Sequence, residues 1–174
     1  MEPLTFEPLD ASHGAELLAL WTDEAVVRYT NMELPCPLEE AERRAAVLAR
    51  FDSFAVRRAG ELVGVAGCPA VDAGARRFGL FYQFKRTVWG LGYGTRTVGW
   101  LLEFMAAKYG SAELLADVAV ENRASERILR RFRFVPCGEE PFTKNGTEYT
   151  VRHFQRTVGQ RTGGLSAPTC RVEN

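Results

Sequence analysis

The stretch Phe81-Tyr-Gln-Phe-Lys-Arg-Thr-Val-Trp-Gly-Leu-Gly-Tyr-Gly-Thr95 carries the strongest structural signal in the sequence. It starts as an aromatic-rich strand, runs into a glycine-rich turn and leads into an amphipathic helix predicted at residues 95–109. Gly90, Gly92 and Gly94 remove side chains at alternate positions, so backbone N–H groups can approach a ligand closely. The positive end of the helix points to the same place, which favours phosphate oxygens. A tight strand-to-helix connection without a ligand is the alternative.

Two common phosphate-binding loops do not fit this turn. A P-loop requires Gly-Lys followed by Ser or Thr, whereas Gly94 is followed by Thr95 and Arg96. The dinucleotide fingerprint G-x-G-x-x-G would need glycine at position 95 or 97, and both positions hold threonine. The turn therefore disfavours a nucleotide-binding module. That alternative stays open, and it predicts that ATP or NAD stabilises the protein equally well.

Around this stretch, hydrophobic periodicity predicts a mixed α/β domain without internal repeats. Strands are predicted at residues 4–8, 51–57, 62–68, 78–84, 114–120, 134–137 and 147–154, and helices after Asp10, at 38–50, at 95–109 and after Asn122. Turn signals between the three middle strands favour an antiparallel meander. We expect residues 1–158 to form one domain and residues 159–174, rich in Gly, Thr and Ser, to form a C-terminal tail.

Composition argues against several classes of protein. The chain has 174 residues, 46% of them hydrophobic, and its 22 basic and 22 acidic side chains give no net charge, which argues against disorder and against general nucleic-acid binding. No run of about 18 apolar residues could span a membrane. The start Met1-Glu2-Pro3 lacks a secretory signal, so we expect a cytoplasmic location. The four cysteines and two histidines lack metal-ligand spacing, so no metal is expected.

A second segment, Val120-Glu-Asn-Arg-Ala-Ser-Glu-Arg-Ile-Leu129 followed by Phe132-Arg-Phe134, lies after the next predicted strand. Together with Trp89-Gly-Leu-Gly-Tyr-Gly94, it resembles the GNAT N-acetyltransferase superfamily, and more narrowly its ribosomal-protein N-terminal acetyltransferase type (RimJ/RimL-like). The resemblance extends over residues 4–158. It implies a single α/β (α+β) domain with a mixed central sheet of about six or seven strands, flanked by helices. In that sheet an antiparallel meander is joined to one splayed parallel pair of strands.

This resemblance implies acetyl-CoA as the cosubstrate, bound where the two parallel strands splay apart. Backbone groups at the end of the strand would meet the pantetheine arm, and amides of the glycine-rich turn would hold the pyrophosphate. The implied cofactor-binding residues are Phe84, Lys85, Leu91, Gly92, Tyr93, Gly94, Thr95 and Asn122. Asn122 would both cap the following helix and reach the pantetheine, and a plain N-cap is the alternative.

The implied reaction is acetyl transfer by direct attack of a primary amine on the thioester in a ternary complex. A backbone N–H near Phe84 would stabilise the oxyanion. Some superfamily members carry a proton-donating tyrosine seven residues after the motif asparagine; here that position is Leu129. Ser125 could instead hydrogen-bond the leaving thiolate, or could serve only the first turn of its helix. Asp117 and Glu148 are the candidate bases, although a surface or pairing carboxylate is the favoured interpretation of each.

Departures from the family pattern and a charge asymmetry leave alternatives open. Leu91 stands where the family often has Lys or Arg, and Arg133 replaces a glycine, so a non-catalytic acyl-CoA-binding or sensing domain is the alternative function.

Residues 85–133 carry nine basic and five acidic side chains, which fits a ligand with three phosphates. Residues 1–52 carry eleven acidic and four basic side chains, which would favour a cationic amine or simply form solvated faces. The sequence decides neither the acceptor, a protein N-terminus or a small-molecule amine, nor a homodimer through an edge strand or the tail.

Overall fold

The computed structural model describes residues 2–159, which form nine strands and five helices. The strands are β1 (Leu4–Pro8), β2 (Asp52–Arg58), β3 (Glu61–Cys68), β4 (Ala70–Asp72), β5 (Arg77–Gly79), β6 (Phe81–Phe84), β7 (Ala112–Ala119), β8 (Val135–Lys144) and β9 (Thr147–Val158). The helices are α1 (Gly14–Trp21), α2 (Glu24–Val27), α3 (Leu38–Leu48), α4 (Tyr93–Tyr109) and α5 (Arg123–Arg131). Short 3₁₀ turns precede α1 and follow β6.

The strands form two sheets. One sheet has the order β1-β2-β3-β6 with antiparallel neighbours, and the other has the order β4-β5-β7-β9-β8. Within the second sheet, β5 and β7 run parallel. Leu80 separates β5 from β6, and its N–H donates to the carbonyl oxygen of Leu115 at 2.6 Å. After Leu80 the chain leaves β7 and pairs with β3, so a gap opens between β6 and the second half of β7.

Helices cover the two faces of the four-stranded sheet differently. On the face that we call the α4 face, α4 and α5 bury a core that includes Val98, Leu101 and Leu129. On the opposite α1 face, α1 and α3 bury a second core around Leu17 and Trp21. Each helix presents one apolar stripe to its sheet, as expected for surface helices. Because strand side chains alternate, every residue of β6 and β7 can be assigned to one of these two faces.

The predicted mixed α/β fold, with an antiparallel meander and a splayed parallel pair, is confirmed. Nine strands in two sheets replace the expected single sheet of about six or seven, because the run at 78–84 divides at Leu80 between two partner strands and because the short β4, which was not predicted, pairs with β5. The helix expected at residues 95–109 begins at Tyr93, since Gly92 serves as its N-cap. The short α2 was not predicted; Asp23 caps it. Apart from Gly159, the predicted tail at residues 159–174 lies outside the described residues.

Candidate functional site

The gap between β6 and β7 is the candidate site because two helices begin beside it. The glycine-rich turn leads from β6 directly into α4, and a short turn leads from β7 into α5. Gly94 of α4 lies so close to the β6 side that an added Cβ would be 3.5 Å from the Tyr82 ring. The same Cβ would be 2.9 Å from Ile128 of α5. Both helices therefore pack together on the α4 face, beside the opening between the strands.

Backbone groups of β6 point into this gap. The Leu80 N–H bonds towards β7 and the Lys85 N–H bonds towards β3, so by alternation the N–H groups of Tyr82 and Phe84 point towards the gap. The Phe84 carbonyl is already engaged, since it accepts a hydrogen bond from the Trp89 indole at 2.8 Å. With its carbonyl engaged by Trp89, Phe84 contributes its N–H to the candidate site.

The N-terminus of α4 has no side-chain cap. Gly92, the N-cap residue, has φ of 78°, a left-handed conformation that glycine adopts without strain. The first intrahelical bond runs from the Arg96 N–H to the Gly92 carbonyl, so the three preceding N–H groups have no recorded partner within residues 2–159. Those groups belong to Tyr93, Gly94 and Thr95. The Leu91 N–H, also predicted to hold phosphate, instead points at the Val88 carbonyl at 3.4 Å. Unpaired amides at a helix N-terminus form an anion site.

The cations near this turn already have protein partners. Lys85, a predicted cofactor-binding residue, pairs with Glu61 of β3 at 3.2 Å. Arg86 pairs with Asp23 at 2.7 Å, which ties the turn to the start of α2. Arg96 donates to the backbone carbonyl of Glu2 at 3.1 Å. Lys85 and Arg86 are thus paired with carboxylates, whereas Arg96 is bonded only to a neutral carbonyl and keeps its charge beside the turn.

The N-terminus of α5 is closed by a side chain. The Asn122 Oδ1 atom accepts a hydrogen bond from the Ser125 N–H at 3.2 Å, which is the predicted N-cap contact. Ser125 is half-buried in the first turn, on the β7 side of the gap. Burial raises the pKa of Tyr82 above the ordinary value of 10.0. The nearby Ser125 side chain lowers that pKa and partly offsets the effect of burial. The structure thus brings Asn122, Ser125 and the β6 strand together.

Tyr82 is a residue of this site that the sequence reasoning missed. Its Oη atom is buried and has no hydrogen-bond partner among the described residues. Buried polar groups without a partner are uncommon in proteins, because desolvation is then uncompensated. The only sequence signal was its place in an aromatic strand that borders the glycine-rich turn, and aromatic residues in strands normally indicate packing alone.

On the α1 face, the gap is bordered by different chemistry. Asp117 of β7 lies directly opposite His153 of β9, and the Asp117 Oδ1 atom is 2.7 Å from His153 Nδ1. The Asp117 side chain is 68% exposed, so its carboxylate is accessible from this face. On the β6 side, Gln83 accepts a hydrogen bond from the Trp21 indole at 2.8 Å. No sequence signal links His153 with Asp117, since 36 residues separate them.

The second candidate base lies elsewhere. Glu148 of β9 pairs with Thr143 and lies beyond Val151, the last β9 residue that pairs with β7. It is separated from His153 by an odd number of positions, so its side chain projects from the opposite face of the sheet to Asp117. The structure therefore places the two predicted carboxylates on opposite faces, with only Asp117 on the α1 face beside the gap.

Most of the acidic side chains in residues 1–52 are ion-paired. Six of the eleven pair with an arginine or lysine among the described residues: Glu2, Glu7, Glu16, Asp23, Glu40 and Asp52. Arg57 binds both Glu7 and Glu16, and it holds the pKa values of both carboxyl groups below the ordinary value of 4.5. The acidic excess therefore serves internal pairing more than an external field.

Neither a metal centre nor a membrane span is found in the part of the chain that the structure describes. Within residues 2–159, no group of three or more His, Cys, Asp or Glu side chains could hold a metal ion. No helix in that range combines the length and the apolar character needed to cross a membrane.

Comparisons with known proteins identify a family and a fold. The family model "Acetyltransferase (GNAT) domain" matches residues 3–135. An uncharacterized N-acetyltransferase, p20, from Bacillus licheniformis is 23% identical over 141 residues, which cover 76% of this chain and 79% of that protein.

Two solved structures share the fold. Spermidine N-acetyltransferase from Vibrio cholerae, in complex with CoA and spermine, has a TM-score of 0.80 at 18% identity and covers 89% of this chain and 95% of its own. RimL, a ribosomal L7/L12 alpha-N-protein acetyltransferase in complex with CoA, has a TM-score of 0.77 at 18% identity, with 90% and 94% covered. At these identities the likeness shows the fold alone.

Proposed function

The chain belongs to the GNAT acetyltransferase family and is an acetyl-CoA-dependent acyltransferase; from that premise, we propose that it transfers the acetyl group to a primary amine by direct attack in a ternary complex. The observation that supports this proposal is the gap between β6 and β7, which is open to two faces of different chemistry. Unpaired amides border it on the α4 face, and an accessible carboxylate borders it on the α1 face. An anionic cosubstrate and an amine could then meet within the gap.

The residues of the α4 face fit acetyl-CoA. The amides of Tyr93, Gly94 and Thr95 would bind the pyrophosphate, because they are unpaired and lie at the positive end of α4. The Phe84 N–H would bind pantetheine or the oxyanion, since it points into the gap. When bound, acetyl-CoA supplies the activated acetyl group as a thioester, and the protein positions it.

The residues of the α1 face fit an amine acceptor. Asp117 would accept the proton that the amine must lose, either directly or through water, and His153 holds one of its carboxylate oxygens at 2.7 Å. This placement favours Asp117 over Glu148 as the base. The acceptor class stays broader, because the two neighbours of known fold act on a polyamine and on a protein. Extensive ion pairing in residues 1–52 weakens the argument that net charge selects a cationic acceptor.

The test measures free thiol released from acetyl-CoA in the presence of a polyamine, a free amino acid and a peptide with a free N-terminus. We expect release with at least one of these amines and none with its N-acetylated form. Binding of CoA without turnover on any amine would favour the non-catalytic acyl-CoA-binding domain instead.

Two matched variants examine the base. Asp117→Asn should lower kcat/KM by roughly 100-fold, in line with the contribution of a general base, and Glu148→Gln should leave it near the wild-type value. The reverse result would indicate that the amine binds beside the β8–β9 hairpin, where Glu148 lies.

A further inference from the structure

We infer that Tyr82 is a catalytic residue of this transferase, whose hydroxyl donates the proton that the leaving CoA thiolate takes up. The inference rests on the proposed function and adds a group that neither the sequence motifs nor the comparisons indicate. It starts from an anomaly, the buried and unpartnered Oη atom on β6. A buried polar atom without a protein partner requires an explanation, and a ligand that accepts its hydrogen bond is one.

The position of the hydroxyl supports this assignment. Tyr82 stands on the β6 side of the gap, and its ring packs beside Gly94 in the first turn of α4. Ser125 lies on the other side, in the first turn of the helix that follows β7. Ser125 acts on the pKa of the Tyr82 hydroxyl, although the two hydroxyls fall short of hydrogen-bond geometry. The Tyr82 side chain thus lies between the first turn of α4 and the first turn of α5.

Apart from Ser125, the neighbouring side chains at Leu129 and Phe84 offer no other donor there. On α5, one turn after Ser125, Leu129 is fully buried and apolar. On β6, Phe84 carries no polar side-chain atom, and its carbonyl is occupied by Trp89. Among these residues, Tyr82 and Ser125 are the two with hydroxyl groups near the gap. Because burial raises the pKa of Tyr82, its hydroxyl keeps its proton at neutral pH and is available as a donor.

The chemical step is balanced. When the tetrahedral adduct collapses, the carbon–sulfur bond breaks and its electron pair moves to sulfur. The Tyr82 O–H bond then breaks and its proton moves to sulfur, which gives the free thiol of CoA. The proton that the amine nitrogen loses, taken first by Asp117, reaches solvent, and solvent restores the Tyr82 O–H. No oxidant, reductant or metal takes part, and the net reaction exchanges one N–H proton for one S–H proton.

The absence of a protein partner also predicts an unusual stability effect. A hydroxyl that stabilises the fold loses a hydrogen bond on removal, whereas an unpartnered buried hydroxyl loses only a desolvation penalty. Tyr82→Phe keeps the ring and its packing. We therefore expect the ligand-free variant to have a Tm equal to or higher than that of the wild type. Activity and stability should then move in opposite directions, as they do at residues retained for function.

The experiment compares wild type, Tyr82→Phe and a control, Tyr109→Phe, with three readouts. Tyr109 carries a hydroxyl that donates to Asp52 at 2.6 Å, away from the gap, so the control should lower Tm and leave kcat unchanged. Tyr82→Phe should lower kcat by roughly 100-fold, with little change in the calorimetric Kd for CoA. The ultraviolet absorbance of the thiolate should show that the pKa of bound CoA rises in Tyr82→Phe, because the thiolate loses a hydrogen-bond donor.

The outcomes separate this inference from the proposed function. If the wild type binds CoA and releases thiol, and Tyr82→Phe keeps both its kcat and the pKa of the bound thiol, the role of Tyr82 is overturned while the transferase proposal stands. A Tyr82→Phe variant that loses Tm and CoA affinity together would show a packing role and would also overturn the inference. If the wild type binds CoA but acetylates no amine, the proposed function fails at an earlier stage and the inference fails with it.

Discussion

The two helices that begin beside the gap, α4 and α5, differ at their N-termini. At α4 the N-cap is Gly92, and within residues 2–159 no side chain caps the first turn and three of its amides have no partner. At α5 the Asn122 side chain accepts the Ser125 N–H. An N-terminus without a cap costs stability unless a ligand supplies the acceptor, whereas a capped one holds its side chains in place without a ligand. The comparison indicates that the N-terminus of α4 is suited to bind a ligand and that α5 is suited to hold side chains in position.

The C-terminus of α5 supports the same contrast. The Arg133 N–H donates to the Arg130 carbonyl at 2.9 Å, and the Phe134 N–H donates to the Leu129 carbonyl at 3.0 Å. This pair of bonds forms a Schellman motif, so the protein itself satisfies the C-terminus of α5, as Asn122 satisfies the Ser125 N–H at its N-terminus. Side chains on its first turn, including Ser125, are therefore held in fixed positions beside the gap.

The largest expected effect comes from placing a carboxylate at the uncapped end. Thr95→Glu should weaken CoA binding by roughly 10- to 100-fold in calorimetry, because the new side chain competes for the amides and repels phosphate. It should also stabilise the ligand-free protein by about 0.5 kcal/mol, since an acidic group favours the first turn of a helix. Thr95→Gln is the neutral control and should change both quantities less.

The same charge at the capped end sharpens this comparison. Ala124→Glu adds a carboxylate to the exposed first turn of α5, where Asn122 already engages an amide. Its effect on CoA affinity should be clearly smaller than that of Thr95→Glu. Equal losses in the two variants would mean that general charge repulsion, and not the open amides of α4, governs binding.

Removing the cap of α5 is the next largest change. Asn122→Ala should lower the free energy of unfolding by about 1 kcal/mol, because the Ser125 N–H loses its acceptor. Asn122→Asp keeps an acceptor oxygen and should retain most of the stability in urea denaturation. An unchanged stability in Asn122→Ala would show that the α5 end is as open as the α4 end, and the contrast between the two helices would disappear.

A stabilising change is expected at the other end of α5. Arg133 has φ of 58°, in the left-handed region where residues other than glycine are strained. Arg133→Gly should raise the free energy of unfolding by about 0.5–1 kcal/mol, because glycine adopts this conformation without strain. Arg133→Ala keeps a Cβ and should not give this gain, which separates backbone strain from loss of the arginine charge.

Local rules account for the parts of the site that the sequence predicted correctly. The glycine-rich turn, the helix that begins after it and the Asn122 cap each depend on residues a few positions apart, and short-range preferences determine them. Even the strain at Arg133 follows from one residue type at one position. The splayed parallel pair and the cofactor class came from the resemblance to a known family and not from these rules.

Features that depend on distant strands were not predictable. The residues before Leu80 pair with β7 and those after it pair with β3. No local pattern in residues 78–84 indicates where the partner strand changes. The Asp117–His153 contact depends on the β7–β9 register. The unpartnered hydroxyl of Tyr82 depends on three elements that meet at one point, α4, α5 and β6. Tertiary pairing decides all three features, and a single sequence does not encode it locally.

The smallest effect concerns pH and the attachment of α5 to the sheet. Glu126 of α5 binds Arg130 at 2.8 Å and Arg152 of β9 at 2.7 Å, and these contacts, led by the hydrogen bond from Arg130, hold its pKa below the ordinary value of 4.5. A depressed pKa in the folded state stabilises the protein above pH 4.5, and this contribution is lost as the pH falls through the folded-state pKa. Glu126→Gln should thus be less stable than the wild type at pH 7, and the difference should narrow below about pH 4.5.

Glu121→Gln, at an exposed position before α5, should follow the wild-type pH profile in urea denaturation. A difference between wild type and Glu126→Gln that stays constant with pH would show that packing, and not the paired charge, attaches α5 to β9.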